Sequence, residues 1–171
     1  RNDVLALMFN MNTLWEQYIL ICLRKEGYRQ GINVLGQSVK GFWQPAEGYR
    51  KTIRPDVVIT LPAIPTEIAT SPEMAEQIIV LDTKWKRPER GKPDDGDLKQ
   101  LFTYNLYWAA SHSFLLYPGK PDKLSGSYFN FGNKEEMHSH CAQLWISVLD
   151  QADCLNPNLG NELLTELLNH S

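Results

Sequence analysis

Apolar and polar positions along the chain fall into segments of two different periods. In residues 10–27, "NMNTLWEQYILICLRKEG", Leu14, Trp15, Tyr18, Ile19, Cys22 and Leu23 recur at helical spacing and form one broad apolar face. Thr13 and Glu16 have the spacing of a capping box, and Gly27 offers a C-terminal stop. In "GYRKTIRPDVVITL" the period changes to two, with Val57, Ile59 and Leu61 on one face and Asp56 and Val58 on the other. Pro55 stands where such a strand begins and a missing donor is tolerated. Residues 62–76 hold three prolines and no period, which predicts a connection. Ile78 to Leu81 is an unbroken β-forming run, the pattern of a strand covered on both faces. It ends in Asp82-Thr83-Lys84, so an acid and an amine share one face, with Thr83 and Trp85 on the other.

Downstream, "RPERGKPDDGD" is a loop by composition, and Asp97 is placed to cap the helix "DLKQLFTYNLYWAAS". Leu98, Leu101, Phe102, Asn105 and Trp108 follow helical spacing there. "FLLYP" reads as a short buried strand and "SGSYFNF" as another. Two helices, over residues 134–149 and 161–168, close the chain, with Trp145 on the apolar face of the first. The order helix, strands, helix, strand, helices predicts a single α/β domain over residues 1–171, a mixed β-sheet flanked by helices. The chain opens on Arg1-Asn2-Asp3 without a methionine and reads as part of something longer.

Composition narrows the class. Apolar residues are 43% and charged residues 22% of the 171, a soluble globular balance. No apolar run approaches a membrane span, so a cytoplasmic protein with no membrane partner is expected. Cys22, Cys141 and Cys154 are scattered and odd in number, which suits a reducing compartment better than a disulfide framework. His138 and His140 read as surface histidines near a helix start, and no CxxC or HxxxH spacing points to zinc. A net charge of −3 excludes a domain that coats nucleic acid by charge alone. Even so, Lys84, Lys86, Arg87, Arg90, Lys92 and Lys99 crowd one region, and Arg50, Lys51 and Arg54 another.

The candidate chemistry lies in Asp56, Asp82 and Lys84. Neighbouring strands that each present one carboxylate are a common way to hold Mg²⁺, which prefers oxygen ligands and keeps several waters. A lysine beside such a metal can orient water or stabilise charge developing on a phosphate. An isolated D-x-K would be a surface ion pair of little energy. Here "RPDVVI", a second strand ending in "DTKWK" and a helix bearing Gln100 and Tyr104 as Q-x-x-x-Y follow in series, with Glu16 on an upstream helix.

This series resembles the PD-(D/E)xK nuclease superfamily, with its restriction-endonuclease-like fold. More narrowly, "FNMNTLWEQYI", "IRPDVVI", "IIVLDTKWK", "DLKQLFTYNLYW" and "FLLYP", from Phe9 to Pro118, are similar to the C-terminal endonuclease domain of the McrC family. The resemblance implies Mg²⁺-dependent hydrolysis of DNA, with Mn²⁺ as a substitute, leaving a 5′-phosphate. Asp56, Asp82 and the Thr83 carbonyl would ligate the metal, Lys84 would be the catalytic lysine, and Glu16 would support the metal directly or through water. Gln100 and Tyr104, four apart on one helix face, would approach the DNA, with Lys86 reaching a phosphate. The resemblance further implies methylated or otherwise modified DNA as substrate and a McrB-type AAA+ GTPase as partner. One site per domain also implies that two nuclease domains meet on DNA or nick in sequence. A RecB-like or Cas4-like nuclease acting on DNA ends shares the Q-x-x-x-Y feature, although three dispersed cysteines fit poorly with an iron–sulfur cluster. A non-catalytic DNA-binding or assembly module with the same fold is the alternative from another class.

Overall fold

The computed structural model describes residues 10–62, 76–86, 88, 92–129 and 136–169, with backbone alone for 136–139. The elements are α1 (Met11–Gln30), β1 (Asn33–Gly36), β2 (Lys40–Trp43), β3 (Lys51–Ile53), β4 (Val57–Leu61), β5 (Gln77–Thr83), α2 (Asp95–Trp108), β6 (His112–Pro118), β7 (Asp122–Phe129), β8 (Glu136–Ile146) and α3 (Leu159–Leu168). Six strands make one mixed sheet in the order β1-β4-β5-β6-β8-β7, and β2 pairs with β3 in a separate ribbon. β1, β4 and β5 run antiparallel, β5, β6 and β8 run parallel, and β7 returns antiparallel at the far edge. The expected α/β class and mixed sheet are therefore present.

Alternation along the central strands builds two cores. Val57, Ile59, Ile79, Leu81, Phe114 and Leu116 face α1 and α3, where they meet Trp15, Ile19, Leu23, Leu159, Leu163 and Leu167. Val58, Val80, Leu115 and Tyr117 face the other way, against Leu101, Tyr104 and Trp108 of α2. Because β5 and β6 are adjacent and parallel, their connection must cross the sheet, and α2 is that crossover. The parity that buries Val80 against α2 carries Asp82 and Lys84 to the same side.

Three local expectations are corrected. Helix α1 is capped by Asn10, whose Oδ1 accepts from Asn12 N at 3.1 Å and Thr13 N at 3.3 Å, so Thr13 and Glu16 form no capping box. The helix continues through Gly27 to a left-handed Gly31 (φ 71°). Gly27 serves a close approach instead, since a Cβ there would lie 2.7 Å from Val34 Cγ2 and 2.9 Å from Ile32 O. Helix α2 is capped by Asp94, which accepts from Gly96 N at 2.8 Å, and this leaves Asp97 free for other work.

The third correction concerns residues 136–146, read as part of a helix over 134–149 but forming β8. Cys141, Leu144, Trp145 and Val148 have helical spacing, whereas Ala142, Leu144 and Ile146 alternate as a strand does. The strand prevails because β8 pairs with β6 on one side and β7 on the other. Ala142, Leu144 and Ile146 then enter one core, while Cys141 and Trp145 pack on the other. Trp145 stacks on Tyr117, and His140 stacks on His112 within the sheet rather than near a helix start. The expected connection over 62–76 lies almost wholly outside the described residues, as does the side chain of His138. No helix among the described residues is long and apolar enough to cross a membrane.

Candidate active site

Asp56 immediately precedes β4, and Asp82 lies next to the end of β5. The antiparallel register that pairs Val57 with Leu81 brings the two acids to the same end of the sheet. Asp56 Oδ2 accepts from Thr83 N at 2.6 Å and from Thr83 Oγ1 at 2.8 Å, which fixes one carboxylate against the neighbouring strand. Asp82 is 3% exposed. Its Oδ2 lies 2.6 Å from Lys84 Nζ, and among the described residues this oxygen has no other hydrogen-bonding neighbour. Burial first, and then the charge of Asp56, push the Asp82 carboxyl up from 3.8 to about 6 against the opposing pull of Lys84.

Helix α2 completes the arrangement from above. Lys84 Nζ also reaches Asp97 Oδ1 at 3.1 Å and donates to Gln100 Oε1 at 3.3 Å, so three oxygens surround one ammonium. Burial pulls the Lys84 pKa down, but the charges and hydrogen bonds of Asp82 and Asp97 outweigh it and the net shift is upward. Gln100 Nε2 donates to Tyr104 Oη at 2.6 Å, and Tyr104 Oη donates to Arg54 O at 2.9 Å. The chain of contacts runs from Asp82 through Lys84, Gln100 and Tyr104 back to the residues before Asp56. Burial is the main cause that raises the Tyr104 phenol to about 12, so it stays a neutral donor.

The structure thus brings together Asp56, Asp82, Thr83, Lys84, Gln100 and Tyr104. It adds Asp97, which sequence reasoning placed only as a cap. The signal was available, because Asp97, Gln100 and Tyr104 follow i, i+3, i+7 and share one stripe of the helix. Asp97 Oδ2 lies 2.6 Å from Lys86 Nζ, so Lys86, with its side chain 46% exposed, marks the solvent rim of the site. Burial raises the Asp97 carboxyl, but hydrogen bonds from Lys86 and Lys84 hold it below the usual aspartate value.

Two further candidate residues, Tyr104 and Glu16, are placed by hydrogen bonds around this cluster. Tyr104 is 3% exposed, and its hydroxyl is hydrogen-bonded to Gln100 and to the Arg54 carbonyl. Glu16 is not among the charges that shift Asp82. It accepts a short hydrogen bond from Gln37 Nε2, and Gln37 N donates to Asp56 O at 3.0 Å, so Glu16 reaches Asp56 through Gln37.

The donor set suits a hard divalent cation. Asp82 is destabilised as a carboxylate by burial and by Asp56, and a cation between them would relieve both effects. Among the described residues no three His, Cys, Asp or Glu side chains form a cage. Two carboxylates without a third side chain fit Mg²⁺, which retains waters, rather than a closed zinc site. A cation would compete with the proton on Asp82. Metal affinity is therefore expected to rise steeply from pH 5 to about 6 and to level off above pH 7, as read by calorimetric Mn²⁺ titration across that range. A flat profile would separate Asp82 from the metal.

A mixed sheet carrying acids and a lysine at one end, covered by a crossover helix, defines a restriction-endonuclease-like α/β domain. Residues 1–118 match the family described as McrBC 5-methylcytosine restriction system component, and the chain belongs to that family. A solved structure, the refined half-complex from the tetradecameric assembly of Thermococcus gammatolerans McrB AAA+ hexamers with bound McrC, contains a similar chain. The similarity has a TM-score of 0.59 at 18% identity and covers 95% of this chain and 34% of that one. The present chain thus spans about a third of the length of that relative. No curated protein matches it.

Proposed function

We propose that this chain is the DNA-cleaving module of a McrBC-like type IV restriction system, a metal-dependent endodeoxyribonuclease. It would act on modified DNA with a McrB-type AAA+ GTPase as partner. The observation that carries the reading is the convergence of Asp56, the buried Asp82 and Lys84 at one end of the sheet. Family membership and the McrB–McrC assembly that contains the similar chain support the partner assignment.

In this reading Asp56, Asp82 and the Thr83 carbonyl hold Mg²⁺, with Mn²⁺ able to replace it. A metal held there would supply Lewis-acid polarisation of a phosphoryl oxygen and a water of lowered pKa. Lys84 supplies a positive charge, held by Asp97 and Gln100, on the same strand face as Asp82. Such a pre-oriented charge stabilises the extra negative charge of a phosphate under attack. Gln100 aligns Lys84, Tyr104 aligns Gln100, and Lys86 at the rim meets the DNA backbone. Glu16 acts on Asp56 through Gln37.

The reading is tested with the full chain and its GTPase partner on methylated and unmethylated circular plasmid, with GTP and either Mg²⁺ or EDTA. Cleavage is expected only on the methylated circle, only with Mg²⁺, and with 5′-phosphate ends. Cutting that persists in EDTA would exclude the metal scheme. A requirement for a linear substrate would favour an end-acting nuclease, and complete inactivity with intact DNA binding would favour an assembly module.

A further inference from the structure

The ribbon formed by β2 and β3 is a prominent surface that this cleavage scheme leaves unused. Its inner side is anchored on α2. Lys40 Nζ donates to Tyr107 O at 2.6 Å and stands 4.8 Å from the Trp108 ring centroid, while the Phe42 and Tyr107 rings lie 5.9 Å apart. Ile53 packs against the core beneath α2. At Gly41 an added Cβ would fall 1.9 Å from Arg50 Nη2, so the missing side chain leaves room for the Arg50 guanidinium across the strand.

The outer side and tip have a different composition. Trp43 is 53% exposed and Tyr49 70%, and Lys51 Nζ stands 5.4 Å from the Tyr49 ring. Arg50, Lys51 and Arg54 are exposed, and none forms an ion pair among the described residues. Between residues 38 and 54 the sole acid is Glu47. Exposed aromatics interleaved with uncompensated cations contribute little to folding, yet they suit a polyanion. Protein-docking cores also favour Trp, Tyr and Arg, but they deplete charge at their centre, whereas this ribbon carries three cations without an ion-pair partner among the described residues.

Position gives the ribbon its meaning. From β3 the chain passes through Arg54 and Pro55 directly into Asp56. Tyr104, which orients Gln100, is hydrogen-bonded to the Arg54 carbonyl at this junction. The cations therefore begin two residues from a proposed metal ligand.

We infer that the β2–β3 ribbon is a DNA-binding element. Arg50, Lys51 and Arg54 take the phosphates flanking the scissile one, and Trp43 and Tyr49 pack on the sugars beside them. This inference rests on the nuclease reading and extends it to a surface outside the cleavage site.

The test uses the full chain carrying Asp82→Asn, so that DNA is bound but not cut, with a fluorescent duplex and anisotropy titrations over a range of salt. Adding Arg50→Ala and Lys51→Ala together is expected to weaken binding about tenfold or more. It should also reduce the slope of log affinity against log salt by about 2, close to the loss of two phosphate contacts. Adding Trp43→Ala and Tyr49→Ala should weaken binding by roughly tenfold with the slope unchanged. Thermal midpoints should stay where they are in both cases. Unchanged affinity and slope, with the otherwise wild-type chain still cutting DNA, would overturn the ribbon assignment and leave the nuclease reading standing. Loss of GTPase-partner binding at unchanged DNA affinity would also overturn it, in favour of a protein contact. A chain that neither binds nor cuts DNA would remove both.

Discussion

Asp82→Asn is expected to lower cleavage by a factor of about a thousand or more while leaving the metal-free protein as stable as before, or more stable, at neutral pH. The loss of activity follows from removing one of two carboxylates proposed to hold the metal, for which a neutral amide is a poor substitute. The stability effect has the opposite sign because burial and Asp56 push the Asp82 carboxyl up to about 6 in the folded protein, from an ordinary aspartate value of 3.8. Ionising Asp82 thus works against folding. The penalty is absent below pH 4, grows between pH 4 and 6, and is complete above that window. A shift of this size, already net of the attraction of Lys84, corresponds to roughly 3 kcal/mol at neutral pH. Thermal denaturation at pH 5 and pH 8, with EDTA present, measures it. A variant that loses several degrees at pH 8 would show that Asp82 is structural in its charged form.

Lys84→Ala is expected to reduce activity by a similar order, about 10²–10⁴-fold, but with a clear loss of stability. Its ammonium is the cation between Asp82 and Asp97, both less than 10% exposed, and Gln100 loses its partner as well. Removing one member of a buried ion pair costs about 3–5 kcal/mol. Here the cost should be nearer 2–3 kcal/mol, because the Lys84 side chain is 20% exposed and Asp97 keeps Lys86. The loss should be larger at pH 8 than at pH 5, where Asp82 can take up a proton, and added Mn²⁺ should recover part of it. Chemical denaturation at the two pH values, with and without Mn²⁺, checks all three statements. Equal stability of Lys84→Ala and wild type would mean that the ammonium does not sit among these oxygens in solution. The two variants together separate catalysis from folding, since both lose activity while their stabilities move in opposite directions.

The parts of the site that were legible from sequence are those whose physics is local. The apolar runs through Val57–Leu61 and Ile78–Leu81 mark two buried strands, and strand parity carries on without a break to Asp56, Asp82 and Lys84. Helical spacing in α2 likewise puts Gln100 and Tyr104 on one face. The errors arise where two local solutions compete. Three acids, Asp94, Asp95 and Asp97, crowd the start of α2, and Asp94 rather than Asp97 takes the cap, which frees Asp97 for Lys84 and Lys86. Residues 136–146 satisfy both periods, and only pairing with β6 and β7 decides for a strand. The β2–β3 ribbon shows no hydrophobic period because its contacts are made by Lys40, Phe42 and Ile53 to a helix more than fifty residues away in sequence. Glu16 fitted a capping pattern, and only the folded chain reveals that it holds Gln37.

The central claim is that Asp56 and Asp82 bind a divalent cation. Isothermal titration of Mn²⁺ into the full chain at pH 7.5, compared with the Asp82→Asn variant, tests it most directly. A saturable site in the wild type that disappears in the variant is the predicted result. Equal binding by both proteins, or no binding by the wild type with or without DNA, would contradict it.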